Sequence, residues 1–352
     1  MKWGLLLTTA KPPHITESEV IQSTLEFAKL GDELGYDSAW LLEHHFTEYG
    51  ICPDPFVLAA NIFGCTKRIE VGTAVVVAPL HHPIRVIENA ALLDQLSKGR
   101  FHLGLGRGGF PKDFEVFQRD AAASHEMLFE TVDIIRSAWS SGVAEADGSQ
   151  YRFSQTPFFP KPYSTSGPPI YVAAESPSTV RWAASKGIPL QIATTLEDEE
   201  TMSRMELYNE TAEVSGFDVD KIPHMLMVVA HVGDTKDEAK RAVLQDLEWW
   251  GEEANRVGMD LANLKRLPNY SFHLRRLEQA VLEGRTTRDF KMWDVLDKNP
   301  VGTAEQCIER LEILKEISGA HHIVLGFEGA GDRKQISENI ARFSQEVLPF
   351  VS

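Results

Sequence analysis

The segment WLLEHHF carries the acid and base side chains with the clearest catalytic potential in this sequence. It follows a short apolar run and contains Glu43, His44 and His45 in succession. Because side chains alternate between the two faces of a strand, His44 and His45 cannot both face one site. Imidazole is the side chain whose unperturbed pKa lies nearest neutrality, so a histidine beside a buried carboxylate predicts general acid–base catalysis.

A metal site is the alternative interpretation of these histidines, taken together with His81 and His82. Adjacent histidines have poor geometry for binding one ion, and no carboxylate accompanies them at helical spacing. We therefore expect no metal ion at this site.

A second candidate site is the glycine-rich sequence RFHLGLGRGG, in which Gly104, Gly106 and Gly109 have the spacing G-x-G-x-x-G. That spacing marks dinucleotide-binding folds when it opens the first βαβ unit. Here it lies near residue 100, and Pro111 follows where a helix should start, which disfavours that interpretation. The glycines do provide bare backbone against which a flat ring can lie, beside the fixed positive charge of Arg107.

Hydroxyl side chains cluster after a third apolar run, in the sequence YVAAESPSTV. They belong to Ser176, Ser178 and Thr179, and Glu175 stands just before them. Capping of a helix N-terminus explains such residues without a ligand. The same N-terminus, with free N–H groups and with Arg107 from the neighbouring strand, would also bind a phosphomonoester. A flat ring at one strand end and a phosphate at the next describe flavin mononucleotide (FMN).

About eight short apolar runs alternate with longer amphipathic segments along the chain, and these runs predict β-strands. The predicted strands are 2–7, 38–42, 69–78, 100–105, 169–174, 189–193, 225–231 and 321–326. Apolar residues at intervals of three and four, such as Ile336, Ile340 and Phe343, predict helices between them. Eight βα units without a low-complexity linker predict an α/β fold, a (β/α)8 TIM barrel that forms one domain over residues 1–352.

In such a barrel the active site forms at the carboxyl ends of the strands, so the three candidate sites would meet there. Residues 251–302 form a long insertion between the seventh and eighth predicted units. Long loops at this face are more often functional, and we expect this insertion to be an active-site lid. A helical element that only packs against the barrel is the alternative.

Composition disfavours several classes of function. The chain has 35 Lys and Arg against 51 Asp and Glu, a net charge of −16 that repels nucleic acids and anionic membrane surfaces. Cys52, Cys65 and Cys307 lack CxxC spacing, which disfavours a disulfide framework or a zinc module. The sequence contains no run of about 18 apolar residues, so it predicts no membrane span. We therefore expect a cytoplasmic protein.

Several longer motifs are similar to the bacterial luciferase family of flavin-dependent monooxygenases, in particular to the alpha subunit. They are WLLEHHFTEYG, VGTAVVV, HPIRVIENAALLDQLSKGRFHLGLGRG, KDFEVF, YVAAESPST, NPVGTAEQC and GFEGAG, and they span nearly the full length. The resemblance implies a TIM barrel that binds reduced FMN (FMNH2) supplied by a separate flavin reductase. It further implies that O2 adds to the flavin C4a as a peroxide, which oxygenates an aldehyde or another small organic substrate.

The resemblance also implies roles for individual residues. His44 matches the catalytic acid–base residue, and Glu43 shapes the flavin pocket. Ala74 and Val75 match a cis non-proline peptide beneath the isoalloxazine ring. The residues that match flavin phosphate and ring contacts are Arg107, Glu175, Ser176 and Thr179. Residues 251–302 match the mobile loop of the alpha subunit, which favours a catalytic chain.

Three matched positions depart from the luciferase alpha subunit. Gly106 replaces a reactive cysteine next to the flavin, which should open space above the ring and remove thiol sensitivity. His125 replaces an arginine that helps to hold the phosphate, which should weaken phosphate binding or make it depend on the protonation of His125. Thr194 replaces a tryptophan, so a pocket for a long aldehyde, and with it light emission, is not implied.

Two alternative functions remain at this point: a deazaflavin-dependent oxidoreductase of the same superfamily, and a non-catalytic flavin-binding partner subunit. The motifs EHHF and AAESPST favour the monooxygenase, and the retained His44 favours a catalytic chain. Family members pair through their second and third helices, here near residues 55–64 and 83–96. The resemblance therefore implies a dimer, which is either a homodimer or a heterodimer.

Overall fold

The structure is a computed structural model that describes residues 1–193, 198–257, 296–328 and 332–351. Thr194 lies outside the described residues, as does most of the expected lid and the end of the GFEGAG motif. Within the described residues, every helix is too short or too polar to cross a membrane.

Parallel strands form a closed barrel, so the predicted TIM-barrel fold is confirmed. Its strands are β1 (Lys2–Leu7), β2 (Ser38–Leu41), β3 (Glu70–Thr73), β4 (Val76–Val77), β5 (Phe101–Gly106), β8 (Ile170–Ala173), β9 (Leu190–Ala193), β10 (Met225–Val229) and β13 (His322–Gly326). They follow chain order around the barrel, with β3 and β4 sharing one position, and β13 pairs with β1. Because the strands are parallel, their carboxyl ends meet at one face.

Short strand pairs lie outside the barrel. β6 (Val143–Asp147) and β7 (Arg152–Pro157) form an antiparallel hairpin, and β11 (His231–Val232) pairs in parallel with β12 (Val301–Gly302). The described helices are α1 (Glu17–Leu34), α2 (Pro55–Cys65), α3 (Pro83–Ser97), α4 (Pro111–Val116), α5 (Ser124–Ser141), α6 (Pro177–Ala184), α7 (Asp198–Val214), α8 (Lys236–Arg256), α9 (Ala304–Ser318) and α10 (Arg333–Glu346).

Two predicted strands are each divided in the structure. The strand predicted at 69–78 becomes β3 and β4, with Ala74 and Val75 between them. The strand predicted at 225–231 becomes β10 and β11 because the chain changes partners: β10 pairs with β9 and β13, whereas β11 pairs with β12. The other six predictions match observed strands to within one residue at each end.

Candidate active site at the carboxyl ends of the strands

A cavity of about 270 Å³ lies at the carboxyl ends of β2, β4, β5 and β8. Its lining includes nearly all of the predicted site residues: Glu43, His44, Ala74, Val75, Gly106, Arg107, Glu175, Ser176 and Thr179. His125 and Ser178 are not among the described residues that line it. The barrel therefore brings the three sequence motifs together, as expected from their places after parallel strands.

His44 follows β2 and lies between two aromatic rings. Its ring meets those of Tyr49 and Phe110 edge to face, with centroids 4.9 and 5.2 Å away. Burial lowers the pKa of His44 to about 4, although the neighbouring Glu43 carboxylate acts in the opposite sense. Nε2 of His44 is buried and has no hydrogen-bond partner within the described part of the chain. The cavity thus contains an imidazole that is neutral at pH 7 and has one ring nitrogen available.

The hydrogen bonds of the Glu43 carboxylate go to groups other than His44. Oε1 lies 3.0 Å from Nε2 of His45 and 2.8 Å from Nε2 of His81, and Oε2 accepts the Val77 N–H at 2.9 Å. Burial raises the pKa of Glu43, but these hydrogen bonds outweigh it, so the pKa is lowered and the carboxylate is ionised.

The prediction of an acid–base histidine beside a buried carboxylate therefore needs a correction. The buried carboxylate exists, but His45 and His81 bind it instead of His44. Residues two apart in an extended segment lie on the same side, so Glu43 and His45 share one side and His44 takes the other.

The wall of the cavity next to β5 is formed in part by Ala74 and Val75. Their peptide bond is cis, as the resemblance implies. A Cβ atom on Gly106 would lie 2.6 Å from Cγ2 of Val75. The expectation that Gly106 opens space is wrong, because the Val75 side chain already occupies the space that a side chain at position 106 would need.

The hydroxyl cluster lies at the N-terminus of α6, beside the cavity. Ser176 is the N-cap, and its Oγ accepts the Thr179 N–H at 3.4 Å, which confirms the capping interpretation. The same Oγ lies 3.0 Å from Oγ of Ser178 and 2.9 Å from Oγ1 of Thr179. Together with Arg107, these hydroxyls stand at the positive end of the helix dipole, where anions bind favourably.

His125 lies in the first turn of α5. Its ring is nearly parallel to that of Phe129, with centroids 6.0 Å apart, and Phe129 stacks on Trp182 of α6 at 4.2 Å. Burial and the nearby charge of Arg107 lower the pKa of His125, while Glu126 acts in the opposite sense. Nε2 of His125 is buried and has no hydrogen-bond partner among the residues that the structure describes.

Asp113 of α4 is a residue of this site that the sequence analysis missed. It lines the cavity, it is only 2% exposed, and its Oδ1 has no hydrogen-bond partner among the described residues. Burial raises the pKa of Asp113 to about 7, with Glu43 acting in the same sense and His45 in the opposite one. The only signal in the sequence was the KDFEVF motif itself, in which Asp113 is the first of two acidic residues.

Gly50 was also missed, and it allows His44 to lie close to the main chain. A Cβ atom on Gly50 would lie 2.7 Å from Cδ2 of His44 and 2.9 Å from the Thr8 carbonyl oxygen. Any larger residue at position 50 would displace one of these groups. The sequence offered only the end of the WLLEHHFTEYG motif as a signal.

Comparison with known proteins matches both the sequence and the fold. A sequence model of the luciferase-like monooxygenases matches residues 1–322. The alkanal monooxygenase alpha chain of a Kryptophanaron alfredi symbiont is 35% identical over 351 residues, covering 100% of this chain and 98% of that protein.

Two solved structures are similar in fold. Monooxygenase RslO1 from Streptomyces bottropensis has a TM-score of 0.82 and 24% identity, and the match covers 100% of both chains. The oxygenating constituent of 3,6-diketocamphane monooxygenase from Pseudomonas putida, in complex with FMN, has a TM-score of 0.79 and 21% identity, covering 100% of this chain and 99% of that one.

Proposed function

Because the chain belongs to the luciferase-like monooxygenase family of flavin-dependent enzymes, we propose that it receives FMNH2 from a separate flavin reductase and uses O2 to oxygenate an aldehyde or another small organic substrate. The observation that carries this proposal is the cavity at the carboxyl ends of the strands, which joins a histidine, a glycine-rich backbone and a hydroxyl-capped helix.

The residues of the cavity fit FMN. Gly109 leaves open space beside its backbone, and the Val75 side chain packs against Gly106, so this part of the cavity offers a flat ring bare backbone next to an apolar surface. The phosphate needs cationic and hydrogen-bonding partners, and Arg107 with the hydroxyls at the start of α6 provides them. We assign these two sets of residues to the ring and to the phosphate, respectively.

When bound, reduced FMN supplies the two electrons that activate O2. His44 is neutral at pH 7, so it can accept a proton from a reacting group in the cavity, and we assign this transfer to Nε2. Tyr49 and Phe110 hold the His44 ring from two sides and limit the access of water. Glu43 remains ionised and accepts the N–H of Val77, a residue that lines the cavity.

The test uses the whole protein with photoreduced FMN. Binding is titrated without oxygen, and 18O2 is then added with a series of aldehydes and ketones while products are identified by mass spectrometry. We expect binding of FMNH2 and one 18O atom in the product of at least one substrate. If FMNH2 binds but no labelled product forms, the protein would instead be a non-catalytic flavin-binding partner subunit. If a deazaflavin supports oxidation or reduction of a substrate in the absence of O2, the protein would instead be a deazaflavin-dependent oxidoreductase. Either outcome contradicts the proposal.

A further inference from the structure

The loop that carries His44, residues 44–52, is anchored on two sides. Its ends meet where the His44 N–H donates to the Cys52 carbonyl oxygen at 3.0 Å. On one side, the Lys11 N–H donates to the Glu48 carbonyl oxygen at 2.9 Å, and Nζ of Lys11 lies 2.7 Å from Oε1 of Glu48. On the other side lies the C-terminal part of α8. We call residues 44–52 the histidine loop.

Glu253 of α8 binds the histidine loop through its carboxylate. Oε2 of Glu253 accepts the Glu48 N–H at 3.3 Å, and the Thr47 hydroxyl donates to the same carboxylate. Oγ1 of Thr47 in turn accepts the Tyr49 N–H at 3.0 Å. Glu253 therefore fixes two consecutive backbone N–H groups of the loop, one directly and one through Thr47.

Arg256, one turn later on α8, holds the Glu253 carboxylate in place. Nε of Arg256 donates to Oε1 at 3.0 Å, and Nη2 donates to Oε2 at 2.7 Å. These hydrogen bonds lower the pKa of Glu253, although burial acts in the opposite sense, so the carboxylate is ionised at pH 7. An ionised carboxylate can accept from Arg256, from Thr47 and from the loop backbone at once, which a single amide oxygen cannot.

Tyr49 connects this anchor to His44. Its ring contacts the His44 ring, with centroids 4.9 Å apart, and the Trp250 ring, with centroids 5.6 Å apart. Trp250 stands three residues before Glu253, so the two side chains are neighbours on one face of α8. This face of α8 therefore contacts Tyr49 at its ring through Trp250 and supports its backbone through Glu253 and Thr47.

We propose that Glu253 is a positioning residue for the acid–base step: by fixing the histidine loop, it keeps the Tyr49 ring against His44 and so holds the imidazole in place at the cavity. This inference rests on the proposed function, because it gives Glu253 a part in product formation. Glu253 is not among the described residues that line the cavity. It can still affect the chemistry, since a misplacement of about 1 Å can cost roughly 100-fold in rate.

The first test measures product formation and flavin binding in Glu253→Gln and Glu253→Ala. Single-turnover product yield should fall by about 10-fold to 100-fold, with the larger loss in Glu253→Ala. The dissociation constant for FMNH2 should remain that of the wild type, because Glu253 contacts the histidine loop and not the flavin site. Glu248→Gln, at an exposed position of the same helix, is the matched control and should behave as the wild type. Wild-type yield in both Glu253 variants would overturn the inference.

A double variant shows whether Glu253 acts through His44. In a His44→Ala background, Glu253→Ala should cause little further loss of product, because the effects of two residues that act on one step are not additive. If Glu253→Ala lowers the yield by the same factor with and without His44, then Glu253 acts elsewhere and the inference is wrong.

Histidine 15N NMR gives a measurement that does not depend on turnover. Burial lowers the pKa of His44 to about 4, while Glu43 acts in the opposite sense and His45 in the same sense as burial. Release of the histidine loop should admit water, so the pKa of His44 should rise toward its ordinary value in Glu253→Ala. It should stay unchanged in Glu248→Gln. An unchanged pKa of His44 in Glu253→Ala contradicts the inference.

If the Glu253 variants do not fold, Thr47→Val decides. Valine has nearly the shape of threonine but lacks the hydroxyl that joins Glu253 to the Tyr49 N–H. Thr47→Val should lower the product yield and raise the pKa of His44, and wild-type values of both would overturn the inference. Failure of the proposed function would look different, because the wild type itself would form no labelled product, and the pKa of His44 would still report whether Glu253 positions it.

Discussion

Replacement of His44 by alanine should remove most product formation while folding and flavin binding persist. His44 lines the cavity and is the proposed acid–base residue, and general acid–base groups contribute about 100-fold to 10,000-fold to rate. The measurement is single-turnover product yield beside the dissociation constant for FMNH2, with exposed His14→Ala as the control. Imidazole in the buffer should partly restore product formation by His44→Ala. Undiminished turnover would remove His44 from the mechanism.

Arg107→Ala should weaken the binding of FMNH2 far more than that of riboflavin. Its guanidinium is assigned to the phosphate, and charge-assisted hydrogen bonds are worth about 1.5 to 3 kcal/mol, which corresponds to a loss of roughly 10-fold to 150-fold. Binding of both flavins is measured by anaerobic titration. Arg152→Ala, at an exposed ion pair, is the control. Equal weakening of both flavins would place Arg107 at the ring instead.

Asp113→Asn should change the pH dependence of stability. The pKa of Asp113 in the folded protein, about 7, lies above the value near 3.9 of an unfolded aspartate. The contribution of Asp113 to the free energy of unfolding is therefore complete below about pH 4 and is lost as the pH rises through 7. The variant has no titrating group at this position and does not lose this contribution. The free energy of unfolding of the variant minus that of the wild type should therefore be larger at pH 8 than at pH 5, by on the order of 2 kcal/mol.

Urea unfolding at the two pH values measures this difference. Asp147→Asn, at an exposed position, is the matched control and should show no such change. A constant difference between Asp113→Asn and the wild type would mean that Asp113 is ionised throughout this range.

Glu43 joins two elements of the barrel, because it lies after β2 and binds Val77 of β4. Glu43→Gln replaces an acceptor-only carboxylate with an amide that cannot accept from Val77, His45 and His81 together. We expect a loss of about 3 kcal/mol in the free energy of unfolding and weaker flavin binding.

Thermal and urea unfolding measure this loss. Glu88→Gln is a suitable control, because Glu88 lies 3.9 Å from Arg85 at the surface and should change stability by less than about 0.5 kcal/mol. A change of similar size in both variants would mean that Glu43 does not hold the two elements together.

The assembly of the whole molecule is predicted to involve α2 and α3. These helices pack together and expose three large apolar side chains, of Val57, Leu92 and Leu96, which are 69%, 48% and 58% exposed. Apolar surface of this kind favours association. We expect the wild type to be a dimer by light scattering and the double variant Val57→Asp, Leu92→Asp to be a folded monomer. A wild-type monomer, or a variant that remains dimeric, would contradict this prediction.

The strands and their order could be predicted from the sequence because the hydrophobic pattern of a buried parallel strand is local. Six of the eight strand predictions therefore needed no knowledge of distant residues. The same reasoning located the site, since residues that follow parallel strands, such as His44, Arg107 and Ser176, must meet at one face. The divided strand at 225–231 could not be predicted, because it depends on a partner, β12, some 70 residues away in the chain.

The tertiary structure alone decided which groups pair and which remain available. His45 and His81 take the Glu43 carboxylate, Val75 occupies the space beside Gly106, and Asp113 is buried at the cavity. Such outcomes depend on contacts between residues distant in the chain, for example the 2.8 Å between Nε2 of His81 and Oε1 of Glu43. Residue type and periodicity determine which face a side chain takes, but only the packing of the barrel determines what it meets there, and burial then determines its charge.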